Sequence, residues 1–195
     1  MRTFVALEIE DAIGERIARF MEGVREFAPE ARWVRAESLH VTLKFIGERP
    51  PDAVEQLKQA ISSIQAGAIE LRVGGYGFFP TAKSARVFWI GIESGPELAA
   101  LANAVDEVTG SLGIPKETHA FSPHLTLARA GGGSGSPRQR NDDRPNRAFE
   151  RLRARLESLS KPEFGTMTAH EFFLYESRLG AGGARYTKIA GFALG

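Results

Sequence analysis

The feature that most constrains this chain is a strand-like tetrapeptide that occurs twice, as His40-Val41-Thr42-Leu43 and as His124-Leu125-Thr126-Leu127. Successive side chains of a strand point to opposite faces, so each copy sets an imidazole and a hydroxyl on one face and apolar residues on the other. With nine Thr and sixteen Leu among 195 residues, a shuffled chain yields two such copies with odds of roughly one in ten thousand, a figure flattered by choosing the pattern after inspection. A lone strand His beside a Thr reads as structural, because Thr suits strands by its shape. Two copies in equivalent places point to a site.

The elements around the two copies follow one order. Thr3 to Ile9 alternates as a strand does, and Asp11 to Phe27 repeats at helical spacing through Ile13, Ile17, Phe20 and Val24. Ser38 to Gly47 alternates again, Pro50-Pro51-Asp52 opens a helix carrying Val54, Leu57, Ile61 and Ile64, and Ala68 to Phe79 returns to strand character. From Ala85 the order recurs: a strand, a helix over about Pro96 to Leu112, and the strand His124 to Arg129. A helix follows over about Arg144 to Leu159, with Phe149, Leu152, Leu156 and Leu159 on one side, then strands at Met167 to Tyr175 and Ala184 to Phe192. Alternating strands and helices suggest a doubly wound parallel sheet. No Gly-rich nucleotide turn follows the first strand, so the predicted architecture is α+β, with two small sheets facing each other. A chain of this length buries roughly 70% of its unfolded surface. It is expected to form one domain over 1–195, with sequence halves of roughly 1–84 and 85–195.

Composition narrows the chemistry. There is no cysteine, which excludes disulfides, thiolate zinc sites, iron–sulfur clusters and a Cys nucleophile. Apolar runs such as Val87 to Ile92 fall far short of the ~20 residues of a membrane span, and the amino terminus has no charged-then-apolar signal pattern, so a cytoplasmic protein is expected. A net charge of +1 is too balanced for nucleic-acid binding through bulk electrostatics, so any polyanion must be gripped locally. The one basic region follows the loop Gly131 to Pro137 and runs from Arg138 to Arg155; it reads as a solvated loop and helix face, or as an arm holding an RNA backbone.

Two imidazoles with ordinary pKa values near ~6.5 can divide the work of proton acceptor and proton donor, as in-line displacement at phosphorus requires, while Thr hydroxyls donate to phosphate oxygens. Strict alternation sends Leu39, Val41, Leu43 and Phe45 to the core and leaves His40, Thr42 and Lys44 on the site face. The same rule puts Arg129 opposite His124, so its guanidinium reaches a phosphate only where the strand twists. His119 and His170 lack a Thr partner and read as structural. His119, His124 and a carboxylate do not make a recognisable ligand pattern, so neither metal nor cofactor is expected. Phe79 and Tyr175 are candidates for stacking on a terminal base.

The residues resemble the two-histidine (2H) phosphoesterases, and among them the RNA 2′,3′-cyclic phosphodiesterases once called 2′-5′ RNA ligases. The resemblance covers the opening MRTFVALEI, the block Arg32 to Glu48 (RWVRAESLHVTLKFIGE), FFP at Phe78 to Pro80, SPHLTLAR at Ser122 to Arg129 and YESRLGAGGARY at Tyr175 to Tyr186. It implies a bilobal pseudo-twofold fold with both motifs in a central cleft and helices outside. The implied activity is metal-free hydrolysis of a terminal 2′,3′-cyclic phosphate of RNA to a 2′-phosphate, with ATP-independent 2′,5′ ligation as the reverse reaction. By motif position His40 is the proton donor to the leaving 3′-oxygen and His124 the acceptor that activates water, with Thr42, Thr126 and Arg129 on the phosphate. A monomer is expected. The Gly-rich loop Gly131 to Ser136 departs from the family pattern. Two other readings stay open: a non-catalytic RNA or nucleotide binder, and a sister enzyme acting on another small cyclic phosphate or an oligoadenylate.

Overall fold

The computed structural model describes residues 1–131 and 147–195. In chain order these form β1 (Arg2–Glu8), α1 (Asp11–Val24), β2 (Arg32–Trp33), β3 (His40–Glu48), α2 (Pro51–Ser62), β4 (Ile69–Phe79), β5 (Val87–Ser94), α3 (Pro96–Gly110), β6 (His124–Arg129), α4 (Glu150–Glu157), β7 (Glu163–Ala169), β8 (Glu171–Gly180) and β9 (Gly183–Ala193). Every strand pairing among the described residues is antiparallel. The strands make a four-stranded sheet in the order β3-β1-β8-β9 and a five-stranded sheet in the order β2-β6-β5-β4-β7. The fold is α+β with two antiparallel sheets, as the sequence predicts, and no helix among the described residues is long and apolar enough to cross a membrane.

The halves exchange strands. β4, from the first half, pairs with β5 of the second, and β8, from the second half, pairs with β1 of the first. The order β3-β1-β8-β9 therefore matches β6-β5-β4-β7 position for position, which is the pseudo-twofold relation. Each helix turns its apolar stripe inward: Ile13, Ile17, Met21 and Val24 from α1, and Val54, Leu57 and Ile61 from α2, join Val5, Leu7, Val41, Leu71, Phe88, Leu125 and Leu127 in one apolar cluster fed by both sheets.

Three predicted boundaries need correction. The helix expected over Asp11 to Phe27 ends at Val24 and tightens into a 3₁₀ turn at Arg25–Phe27. The described part of the helix expected over Arg144 to Leu159 is Glu150–Glu157; residues 144–146 lie outside the described residues, and Leu159 is exposed beyond the helix end. The single strand expected over Met167 to Tyr175 is two strands that part at His170 and serve different sheets. The switch is silent in hydropathy because Phe172 to Tyr175 are all buried: Phe172 and Leu174 face the main core, while Phe173 and Tyr175 join Phe4 and Ala6 in a second, aromatic cluster on the opposite face of β1 and β8.

Candidate active site

β3 and β6 approach each other although they belong to different sheets, and this brings the two motifs together. Each imidazole is held in the same way. His40 Nδ1 lies 2.8 Å from the carbonyl oxygen of Ser38, and His124 Nδ1 lies 2.8 Å from that of Ser122. A carbonyl only accepts, so Nδ1 must donate in both rings, and the tautomer follows: the remaining nitrogen, Nε2, carries the lone pair when the ring is neutral and the second proton when it is charged. Neither Nε2 nor the hydroxyl of Thr42 or Thr126 has a protein partner among the described residues, and all four side chains are partly open. The Ser two residues before each His extends the repeat to Ser-x-His-x-Thr-Leu, a signal present in the sequence and not used in reading it.

Aromatic walls fix the rings. Phe4 sits 4.8 Å from His40 between centroids, Tyr186 meets it edge-on at 5.1 Å, and Tyr175 lies at 6.4 Å; His124 has Phe79 edge-on at 5.0 Å and Trp89 at 6.2 Å. Phe79 and Tyr175 thus occupy equivalent places on the exchanged strands β4 and β8, each beside one His. Tyr186, from the start of β9, was not predicted.

Strict alternation fails at the same place in both strands. Val5 pairs with Lys44 and Ala6 with Thr42, which leaves Leu43 as an extra residue; Phe88 pairs with Ala128 and Trp89 with Thr126, which leaves Leu127 extra. A bulge of this kind reverses the facing of everything beyond it. Two buried residues follow each Thr, Leu43-Lys44 and Leu127-Ala128, and the next residue turns out to the site face: Phe45 in β3, 59% exposed, and Arg129 in β6. Two expectations are overturned together. Phe45 is not a core residue, and its ring stands on the site face 6.2 Å from Phe4. Lys44 is not on the site face. It is buried, donating to Asp106 Oδ1 at 2.6 Å and to the Pro115 carbonyl at 2.7 Å, with Glu117 Oε1 at 3.4 Å, and so ties β3 to α3 and the loop after it. Arg129, in contrast, reaches the side of the strand that carries His124 and Thr126.

The charges agree with this placement. Burial lowers the pKa of His40, the Ser38 carbonyl works against that, and the positive charges of Arg129 and His124 lower it further. His124 is lowered by burial and by Arg129, against the effect of Ser122. One guanidinium is therefore within electrostatic reach of both rings, and the rings are within reach of each other. Partial burial lowers the pKa of Arg129, the Tyr186 phenol works against that, and the positive charge of Arg32 lowers it further. Burial and the nearby Glu8 carboxylate push the Tyr175 phenol well above its usual range, so it stays protonated. His119 and His170 are exposed and belong to neither ring's surroundings. No three His, Cys, Asp or Glu side chains gather as metal ligands among the described residues. Of the Arg-rich stretch, residues 138–146 and the Gly-rich loop beyond Gly131 lie outside the described residues. Arg151 and Arg155 stack over Phe27 at 5.9 and 5.5 Å, and Arg153 donates to the Ala82 carbonyl. A hollow of about 480 Å³ lined by Glu70, Arg72, Glu93 and Glu97 contains none of the motif residues.

The family model described as "LigT like Phosphoesterase" matches the chain twice, over residues 7–89 and 90–186, one match for each His motif. The chain belongs to the LigT-like phosphoesterases. A family member from Methanocaldococcus jannaschii, named RNA 2′,3′-cyclic phosphodiesterase, is 31% identical over 189 residues, covering 97% of this chain and 98% of its own. One of the same name from Aquifex aeolicus is 30% identical over 200 residues, covering 100% and 98%. The crystal structure of E. coli LigT complexed with 3′-AMP superposes with a TM-score of 0.77 at 26% identity, over 99% of this chain and 97% of that one.

Proposed function

We propose that this LigT-like phosphoesterase hydrolyses the 2′,3′-cyclic phosphate at an RNA end to a 2′-phosphate by acid–base catalysis between His40 and His124. The observation that carries the reading is the duplicated Nδ1-to-carbonyl bond, which leaves two Nε2 atoms, one from each sheet, and two Thr hydroxyls without a partner among the described residues. The full-length relatives named RNA 2′,3′-cyclic phosphodiesterase support the substrate.

In the reaction, His124 Nε2 takes a proton from the attacking water and His40 Nε2 gives one to the departing 3′-oxygen; the P–O3′ bond breaks as the new P–O bond forms. Thr42 and Thr126 donate to the non-bridging oxygens, and Arg129 offsets the charge that builds on them. One ring must start neutral and the other charged. Burial and Arg129 bias both toward neutral in the free protein, and the arriving phosphate anion reverses that bias, so substrate itself charges the donor. Because the strands are exchanged between halves, we take the chain to act as one unit in which neither half completes the site.

The test is product analysis. An oligoribonucleotide ending in 2′,3′-cyclic phosphate, incubated with the protein in chelator, should yield a 2′-phosphate end only. A 3′-phosphate product, or binding without turnover over long incubation, would overturn the reading, the latter in favour of a nucleotide-binding role.

A further inference from the structure

Among the described residues, Arg32 is a cation beside Arg129 that the mechanism leaves without work. It stands directly across from Arg129 in the β2–β6 pairing, so the two side chains rise from the same face of the sheet. β2 is only two residues long, and its other residue, Trp33, is fixed from behind: the indole Nε1 donates to the Ala28 carbonyl at 2.9 Å and the ring packs edge-on to Phe88 at 5.9 Å. The backbone continues the pairing, with Val34 N–H bonded to the Leu127 carbonyl. Arg32 is thus held in register beside Arg129 by apolar anchoring on the opposite face, while its own side chain is exposed.

Neither Arg32 nor Arg129 has a carboxylate partner among the described residues, although the chain carries 24 acidic residues and pairs other exposed cations, such as Arg25 with Glu22 and Lys188 with Glu8. Arg35, three residues on, is occupied: it donates to the Gly182 carbonyl at 3.0 Å. Two like charges opposed across a strand pair repel, and among the described residues only the Tyr186 phenol works against that repulsion. A cyclic phosphodiester brings a single negative charge, which Arg129 and the two Thr hydroxyls already meet. No carboxylate among the described residues meets the second guanidinium, and in a nucleic acid the next anion is the adjoining phosphodiester.

We propose that Arg32 forms, beside Arg129, a second phosphate subsite that holds the phosphodiester on the 5′ side of the terminal nucleotide, so that the enzyme is built for oligoribonucleotide ends rather than for free cyclic mononucleotides. The proposal rests on the reading of the cleft given above and extends it to substrate length. Arg is the residue suited to the task, since its planar fork grips phosphate oxygens in pairs.

The experiment compares Arg32→Gln with the unmodified protein on two substrates, a nucleoside 2′,3′-cyclic monophosphate and a short oligoribonucleotide with the same terminus, and in parallel measures equilibrium binding of an oligoribonucleotide ending in 2′-phosphate. The expected result is a fall of about tenfold in kcat/KM and in affinity for the oligonucleotide, with the mononucleotide unchanged within about twofold. The slope of log affinity against log salt should also shrink by about 0.7, the value for one phosphate on a single strand. An equal loss on both substrates, no loss on either, or an unchanged salt slope overturns the subsite. If the unmodified protein turns over neither substrate, the catalytic reading fails while the binding arm still decides the subsite; if turnover stands and the split is absent, the subsite alone falls.

Discussion

β3 and β6 repeat one another as far as the Thr and part company just beyond it. In both, a carbonyl two residues upstream fixes the imidazole, a Thr follows on the same face, and a bulge at Leu43 or Leu127 turns the strand over. What the bulge then presents is different. β3 buries the charged Lys44 and exposes the aromatic Phe45; β6 buries the small Ala128 and exposes the charged Arg129. Under the proposed mechanism, the matched part supplies a proton acceptor on one side of phosphorus and a donor on the other. The unmatched part leaves an aromatic ring at one end of the cleft and a cation at the other, which under the same proposal orients the substrate.

The strongest way to break the comparison is to remove each ring in turn. His40→Ala and His124→Ala should each lower kcat on a cyclic-phosphate oligonucleotide by about 10²–10⁴-fold, the span of a positioned acid or base. If either variant kept near-normal turnover, its half would be a structural echo of the other, and the twofold reading would fail.

Next in size is the buried charge that only the first half carries. Lys44→Met leaves Asp106 facing an apolar group; since Asp106 is partly open to water and keeps the Glu117 N–H, the loss falls below that of a fully buried pair, at about 2 kcal/mol. For a chain of this length that corresponds to a fall of about 4–8 °C in melting temperature. The double variant Lys44→Met, Asp106→Leu should recover part of the loss, because the carboxylate then left without Lys44 is Glu117, which is exposed to water. A single variant that melts with the parent protein would show that the tie between β3 and α3 does not matter.

The smallest expected effect is on titration. Both imidazoles sit below the ordinary value of about 6.5, so both limbs of the kcat/KM profile should fall on the acid side of it. Arg129→Gln removes a positive charge that lowers both rings, and NMR titration should find both pKa values raised. A rise at His124 alone would place Arg129 out of reach of His40. The sign for stability runs the same way: the folded protein holds these rings neutral where the unfolded chain protonates them, so stability present above about pH 6.5 is lost as the pH falls through the folded pKa values.

Much of the site was legible locally. His40, Thr42, His124 and Thr126 share faces because the side-chain period of a strand is two, a property of covalent geometry that needs no partner. The helices α1 to α3 likewise announce themselves through apolar spacing and, for α2 and α3, through Pro51 and Pro96 at the first turn. The Ser preceding each motif was visible too, although it is the backbone carbonyl rather than the side chain that acts, and nothing in residue identity marks a carbonyl.

What the sequence alone could not supply is whatever depends on a second strand. The bulges exist because β1 and β5 pair with β3 and β6 in a register that skips Leu43 and Leu127, and that skip, not any local signal, sent Lys44 inward and brought Phe45 and Arg129 to the cleft. The parting of Met167 to Tyr175 into two sheets is set by which strands β7 and β8 meet. Tyr186 stands beside His40, 146 positions earlier in the chain, only because β9 closes the first sheet. Period and composition are read from neighbours along the chain; register and strand exchange are decided by packing between segments that the sequence keeps far apart.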